Sequence, residues 1–465
     1  MRHIFREYDI RGVFGKDLTE ESVKRIGLLL GRQIVQKGEY AVVSYDARLH
    51  SPTLSNWLVS GLNAAGVRVL HAGMVPTPVN YFCQFREFEV GGKKVRPAGG
   101  IQITGSHNPP EYNGFKITLD RQPFYGEAIY ALGEAVTAKT PASIPDCNES
   151  VAIDALGAYV DYLVEAFGHL KGFDLPIAVD CGNGSAGVAV APVLDRLGIG
   201  YEKLFFEPDG RFPNHHPDPS EEENLEDLKR ALQGGSAYGF AFDGDGDRLA
   251  FLSPKRNFKG DILALFFARE MAKTGKRPTV IGEVKCSKIM YEGIDAVGRS
   301  IMYKTGHSNL KVKLKETGAD LAAEVSGHLF FNDRYFGYDD AVYAMLRVLE
   351  LLKEGCDFDA EFEKLPVLYS TDEIKVPADD ATKFAVVERL KTLLNERQKA
   401  LGIHKTVTVD GVRVDFEKGW GLVRASNTTP ILVTRFEAED PETLAWIKDE
   451  MNSLIEKARA DTAGG

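Results

Sequence analysis

Ile177-Ala178-Val179-Asp180-Cys181 runs through Gly182-Asn183-Gly184-Ser185-Ala186-Gly187 into residues 188–197. A short, mostly apolar run stopped by a glycine turn predicts a buried strand, and the apolar spacing beyond the turn predicts a helix. The same pattern recurs outward in both directions. Strand-like runs at 40–45, 239–242, 279–284 and 321–325 alternate with helical patterns at 52–65, 261–273, 308–316 and 340–352. Such alternation builds layered α/β units.

At 465 residues the chain exceeds what one core organises, since length divided by about 150 suggests roughly three domains. A polar, Pro- and Ser-bearing stretch at 140–150 separates a helix from a fresh strand–helix series. Softer boundaries fall near 253–257 and 366–372. Beyond 372 the pattern changes to a strand (373–376), a helix (381–396), short strands (406–410, 411–415, 421–425, 431–437) and a final helix. We therefore read four domains: 1–147, 148–253, 254–367 and 368–465. The fold class is α/β, with three similar α/β domains and a smaller C-terminal α+β domain.

Composition narrows the function. The chain is 44% hydrophobic and 26% charged, with a formal net charge of -11, which suits a globular protein and opposes non-specific nucleic-acid binding. No apolar run approaches the roughly 18 residues of a membrane span. Met1-Arg2-His3-Ile4-Phe5-Arg6-Glu7 has no apolar stretch behind its charges, so no secretory signal is read and a cytoplasmic setting is expected. Five scattered cysteines with no C-x-x-C pair fit neither a disulfide framework nor a structural zinc site.

The densest chemistry lies in Phe242-Asp243-Gly244-Asp245-Gly246-Asp247-Arg248. Three carboxylates separated only by glycine can converge on one hard cation, and Mg²⁺ takes few carboxylates plus a phosphate oxygen. An EF-hand would need Gly and Glu where this loop has Arg248 and Pro254. A second loop, Thr104-Gly105-Ser106-His107-Asn108-Pro109-Pro110-Glu111-Tyr112-Asn113-Gly114-Phe115-Lys116, follows an apolar run at 101–103. It offers a serine that a histidine, a lysine or a metal could activate. Lys285, His307 and the run Glu324-Val325-Ser326-Gly327-His328 each follow a predicted strand, as functional groups of open α/β sheets do. Arg424-Ala425-Ser426-Asn427-Thr428-Thr429-Pro430 offers a guanidinium and a turn suited to phosphate.

The run Gly182–Gly187 also matches G-x-G-x-x-G, with Glu202 and Glu207 near the offset of a ribose-binding acid, so an NAD-dependent oxidoreductase is a competing reading. It leaves the other loops unexplained. No P-loop signature occurs.

Together these loops resemble the α-D-phosphohexomutase superfamily, in its phosphomannomutase/phosphoglucomutase group. The likeness extends to Phe5-Arg6-Glu7-Tyr8-Asp9-Ile10-Arg11-Gly12, to Pro213-Asn214-His215-His216-Pro217-Asp218-Pro219 and to Gly419-Trp420-Gly421-Leu422-Val423. It implies four domains around a central cleft and interconversion of hexose 1-phosphate and hexose 6-phosphate, with mannose or glucose as the sugar. Phosphoglucosamine mutase is the alternative within the group. The resemblance implies that Ser106 is a phosphoserine and that Mg²⁺ is held by Asp243, Asp245, Asp247 and a phosphate oxygen on Ser106. Arg11, His107, Lys116 and His328 become candidates for proton handling. Tyr8, Arg248, Lys285, His307, Glu324, Ser326, Arg424, Ser426, Asn427 and Thr428 become substrate contacts. A monomer is expected, with no nucleic-acid or membrane partner. Ala323, where the family's sugar loop usually has Gly, and a basic excursion at 86–100 are departures from the pattern.

Overall fold

The computed structural model describes residues 2–138, 143–427 and 429–463. Three of its sheets repeat one plan. In the first, strand Tyr40–Tyr45 lies parallel to both Arg68–Met74 and Gly99–Ile103, and Tyr112–Leu119 then adds antiparallel to Gly99–Ile103. In the second, Ile177–Asp180 lies parallel to Tyr201–Leu204 and Tyr238–Phe242, and Leu249–Leu252 adds antiparallel. In the third, Thr279–Glu283 lies parallel to Arg299–Tyr303 and Leu321–Ala323, and Leu329–Phe331 adds antiparallel. Each plan therefore ends its parallel strands with a reversal. Those reversals are the Ser106 loop, the Asp loop and the 324–328 loop.

Three further strands complete the first sheet, one of them the short Gln122–Pro123 beside Tyr112–Leu119. Ile10–Val13 pairs antiparallel with Tyr112–Leu119, which carries Arg11 to the serine loop. Ser150–Ala152 pairs parallel with Arg68–Met74 at the opposite edge. The basic excursion at 86–100 contains a small hairpin, Phe88–Val90 against Lys93–Val95, turned by Gly91 and Gly92 at φ 57° and 75°. Left-handed backbone at both turn positions is what a tight hairpin needs from glycine. The fourth sheet is antiparallel, in the order Tyr369–Ser370, Ile431–Ala438, Gly419–Ala425, Val412–Phe416 and Lys405–Val407, backed by helices Lys383–Glu396 and Pro441–Ala463.

Burial ties the first three blocks together. One apolar cluster runs from Val42 and Phe82 through Tyr159, Leu194 and Phe240 to Leu263, Phe331 and Leu346. A shared core leaves the three reversals little freedom to move apart, because interiors pack at crystal-like density. The five cysteines are free thiols. No described helix is long and apolar enough to cross a membrane.

The glycines of Gly182–Gly187 serve packing. A Cβ on Gly184 would lie 2.7 Å from the carbonyl oxygen of Gly244, and Ser185 N donates to that oxygen at 3.0 Å. The turn braces the Asp loop from behind, a steric use of glycine that has no need of a dinucleotide.

Candidate active site

Ser106 sits at the tip of the first reversal in left-handed backbone, φ 47°, a conformation costly for a non-glycine residue. Its N–H donates to Thr104 Oγ1 at 2.8 Å, and its hydroxyl donates to Asp243 Oδ2 at 2.8 Å. His107 Nδ1 lies 3.1 Å from the same hydroxyl oxygen. Burial and the nearby Arg248 guanidinium hold His107 well below the usual histidine range, so its imidazole is neutral. Arg11 reaches the same loop through Asn108 Oδ1 at 3.2 Å and is oriented by Asp9 at 2.9 Å.

Asp243, Asp245 and Asp247 are fully buried beneath this loop, with carboxylate oxygens within 4.8 Å of one another. Lys116 donates to Asp245 Oδ2 at 2.7 Å and to Asp247 Oδ2 at 2.5 Å, and Thr77 donates its hydroxyl to Asp245 Oδ2 at 2.5 Å. Burial and the like charges of Asp245 and Asp247 push Asp243 well above the carboxylate range. At Asp245 burial acts in the same direction, but the Lys116 ammonium overcomes it and holds that carboxyl down. One lysine therefore holds two of the three carboxylates. The Oδ1 atoms of Asp245 and Asp247 have no hydrogen-bond partner among the described residues. Buried, unpartnered carboxylate oxygens converging within a few ångströms fit a hard divalent cation.

Ser106 and Lys116 also face a cavity of about 740 Å³. Its lining brings together Tyr8, Arg11, His107, Arg248, Lys285, His307, Glu324, Ser326, His328, Arg424, Ser426 and Asn427, whereas the three aspartates lie behind the wall. Thr428 lies outside the described residues. Arg248 Nε donates to His328 Nε2 at 3.0 Å, joining the Asp loop to the 324–328 loop. Both ring nitrogens of the half-buried His307 are shielded from solvent, and neither has a partner among the described residues. Ser326 donates to Glu324 Oε2 at 3.3 Å, and Glu324 Oε1 accepts from Gly306 N at 2.6 Å.

At the far end Arg424, which lines the cavity, donates through Nε to Asp410 at 3.0 Å. Ser426 Oγ lies 2.8 Å from Thr429 Oγ1. Tyr8 closes the ring of domains, since its hydroxyl donates to Thr305 O at 2.9 Å and accepts from Asn427 at 3.0 Å. Lys285 is fixed between Glu373 at 2.5 Å and Glu283 at 3.4 Å.

Glu283 yields a prediction. Burial pushes its carboxyl up to about 7, against the relief from Lys285 and with the added repulsion of Glu324 and Glu373. The unfolded value is about 4.5, so the protonated carboxyl contributes stability that is complete below 4.5 and lost as pH rises through 7. The Tm of the wild type should therefore fall relative to that of Glu283→Gln as pH climbs across this window. A difference between the two that stays constant with pH contradicts the assignment.

Several groups here escaped sequence reasoning. Thr77 opens the helix Thr77–Cys83, Asp410 and Glu373 sit in loops, none has a motif of its own, and only the fold brings them to their partners. Asp46 and Arg48 carried the same signal as the recognised loops, polar residues directly after strand Tyr40–Tyr45.

The sequence matches four domain families in order: Phosphoglucomutase/phosphomannomutase alpha/beta/alpha domain I over residues 2–140, domain II over 157–256, domain III over 259–367 and the C-terminal domain over 373–454. It is 42% identical over 450 residues to a phosphomannomutase/phosphoglucomutase of Pseudomonas aeruginosa, covering 96% of this chain and 94% of that one. It is 40% identical to a phosphoglucomutase of Neisseria gonorrhoeae, with 98% and 97% covered. Among solved structures, a phosphoglucomutase/phosphomannomutase family protein of Burkholderia thailandensis superposes with a TM-score of 0.89 at 38% identity, covering 99% of this chain and 98% of that one.

Proposed function

The chain belongs to the phosphoglucomutase/phosphomannomutase family, and from that premise we propose that it interconverts hexose 1-phosphate and hexose 6-phosphate with Ser106 as phosphoryl carrier. The observation that carries this reading is the placement of Ser106, whose Oγ lies 2.8 Å from Asp243 of the buried Asp cluster on a residue that lines the 740 Å³ cavity. Asp243, Asp245 and Asp247 would hold Mg²⁺ together with a phosphate oxygen on Ser106, and the ion would offset charge on the transferring group.

Phosphorylated Ser106 gives its phosphoryl group to the free hydroxyl of a hexose phosphate. The P–Oγ bond breaks, a bond from phosphorus to the sugar oxygen forms, and the proton released by the sugar hydroxyl matches the one that Oγ takes up. His107, neutral and 3.1 Å from Oγ, is the group placed to pass that proton at Nδ1. Lys116 and Arg11 stay protonated and spread positive charge along the transfer path. The bisphosphorylated sugar then turns over, and its other phosphate returns to Ser106. Throughout, Arg424, Ser426 and Asn427 grip the phosphate that is not reacting, while Glu324 and Ser326 hold hydroxyls. One chain supplies every group, and we take the monomer as the active unit.

Incubation of the purified protein with glucose 1-phosphate or mannose 1-phosphate and Mg²⁺ should yield the corresponding 6-phosphate. Turnover of glucosamine 1-phosphate alone would shift the reading to phosphoglucosamine mutase, and turnover of none would end it.

The grip on shared groups leads to a further prediction. Glucose and mannose differ at the 2-hydroxyl, which a site anchored on phosphate need not sense. Arg424→Ala removes a charge-assisted contact of about 1.5–3 kcal/mol, so kcat/KM should fall by roughly one to two orders of magnitude, alike for both 1-phosphates. A loss confined to one epimer would assign Arg424 to sugar discrimination instead.

A further inference from the structure

The Ser106 loop lacks secondary structure of its own, yet it holds a strained serine in place. The groups that hold it come from another part of the first sheet. Arg48, 1% exposed, donates from Nη1 to Pro109 O at 2.6 Å and Tyr112 O at 2.9 Å, and from Nη2 to Ser106 O at 2.8 Å and Asn108 O at 2.5 Å. Its Nε lies 3.2 Å from Asp46 Oδ2. Asp46 in turn accepts from Thr104 Oγ1 at 2.9 Å and Gly105 N at 3.1 Å, so this pair grips the loop on both sides of the serine.

The second block also touches Arg48. The Phe212 ring centroid lies 5.2 Å from the guanidinium carbon, and a Cβ on Gly210 would come within 2.5 Å of Arg48 Cα. Phe212 sits at a left-handed φ of 49°.

A guanidinium buried among carbonyls of one short loop is a costly way to stabilise a turn, and a generic turn does not need it. What it gives is geometry, because a planar fork fixes several acceptors at once where an ammonium cannot. We propose that Asp46 and Arg48 are positioning residues that set Ser106 Oγ for transfer, and that Phe212 couples this setting to the domain bearing the Asp loop. The inference rests on Ser106 being the phosphoryl carrier.

The test compares Arg48→Lys and Phe212→Leu with the wild type, each loaded with phosphate from glucose 1,6-bisphosphate. Quenched single turnovers with glucose 1-phosphate and Mg²⁺ give the transfer rate constant per labelled site and the labelled fraction. Calorimetry gives the affinity for glucose 1-phosphate. A misplacement near 1 Å costs about 100-fold, so Arg48→Lys should transfer about 100-fold more slowly per site and Phe212→Leu about 10-fold more slowly. Affinity should stay within about threefold, because the substrate grip is untouched. A reduced labelled fraction transferring at the wild-type rate means Arg48 only supports the fold, and overturns the proposal. So do wild-type rates in both variants, and if Arg48→Lys does not fold, a wild-type rate in Phe212→Leu does so alone. Absence of label on Ser106 in the wild type overturns the carrier reading and this inference together, whereas a labelled Ser106 with unchanged rates overturns this inference only.

Discussion

Replacing Ser106 with alanine should abolish turnover of both hexose 1-phosphates, by about 1,000-fold or more, because the variant has no oxygen to carry the phosphoryl group. The substitution removes one buried atom and two hydrogen bonds, to Asp243 and to His107. The backbone N–H of residue 106 keeps its bond to Thr104, and the four carbonyls that Arg48 holds are unchanged. Loss of activity should therefore come without loss of fold, which circular dichroism and Tm will separate. Turnover at the wild-type rate in a folded variant would remove Ser106 from the mechanism.

Chelation should be as severe in its effect on activity and mild in its effect on structure. With EDTA, turnover should stop, and added Mg²⁺ should restore it. The Tm should move little, because Lys116 and Thr77 already satisfy one oxygen of Asp245, and Asp243 binds the backbone N–H groups of Asp247 and Arg248 at 3.0 and 3.1 Å. The cluster is thus braced by the protein itself, and the shared apolar core beneath it does not depend on an ion. Unfolding on chelation would make the ion structural.

The fold was largely legible, because its signals are local. Strand Tyr40–Tyr45 matches the apolar run at 40–45, and helices Gly187–Leu197 and His307–Thr317 begin within a residue of the expected starts. Strand Ile10–Val13 carries no such signal, since a four-residue segment with Arg11 and Gly12 has no periodicity and is set by its pairing with Tyr112–Leu119. The hairpin at 88–95 shows in the sequence only as a basic excursion.

Within the site, residues in dense motifs could be found from sequence, whereas their supports could not. Asp243, Asp245 and Asp247 announce themselves by spacing. Arg48 acts on carbonyls about 60 residues away, and the carbonyls that receive it carry no side-chain signature. Asp410, in the bend that leads into Val412–Phe416, meets Arg424 on the neighbouring strand Gly419–Ala425, a contact set by the pairing of those strands rather than by pattern. The competing dinucleotide reading arose because a glycine turn packed against Gly244 and one packed against a pyrophosphate have the same sequence signature.

The central claim, that Ser106 carries the phosphoryl group during turnover, is tested most directly by intact mass and peptide mapping of the protein before and after brief exposure to substrate. After glucose 1,6-bisphosphate, a single adduct of about 80 Da should map to the peptide containing Ser106. Excess glucose 1-phosphate with Mg²⁺ should then discharge that adduct into bisphosphorylated sugar at least as fast as kcat. Phosphate on a different residue, or an adduct on Ser106 that discharges more slowly than the enzyme turns over, would contradict the account.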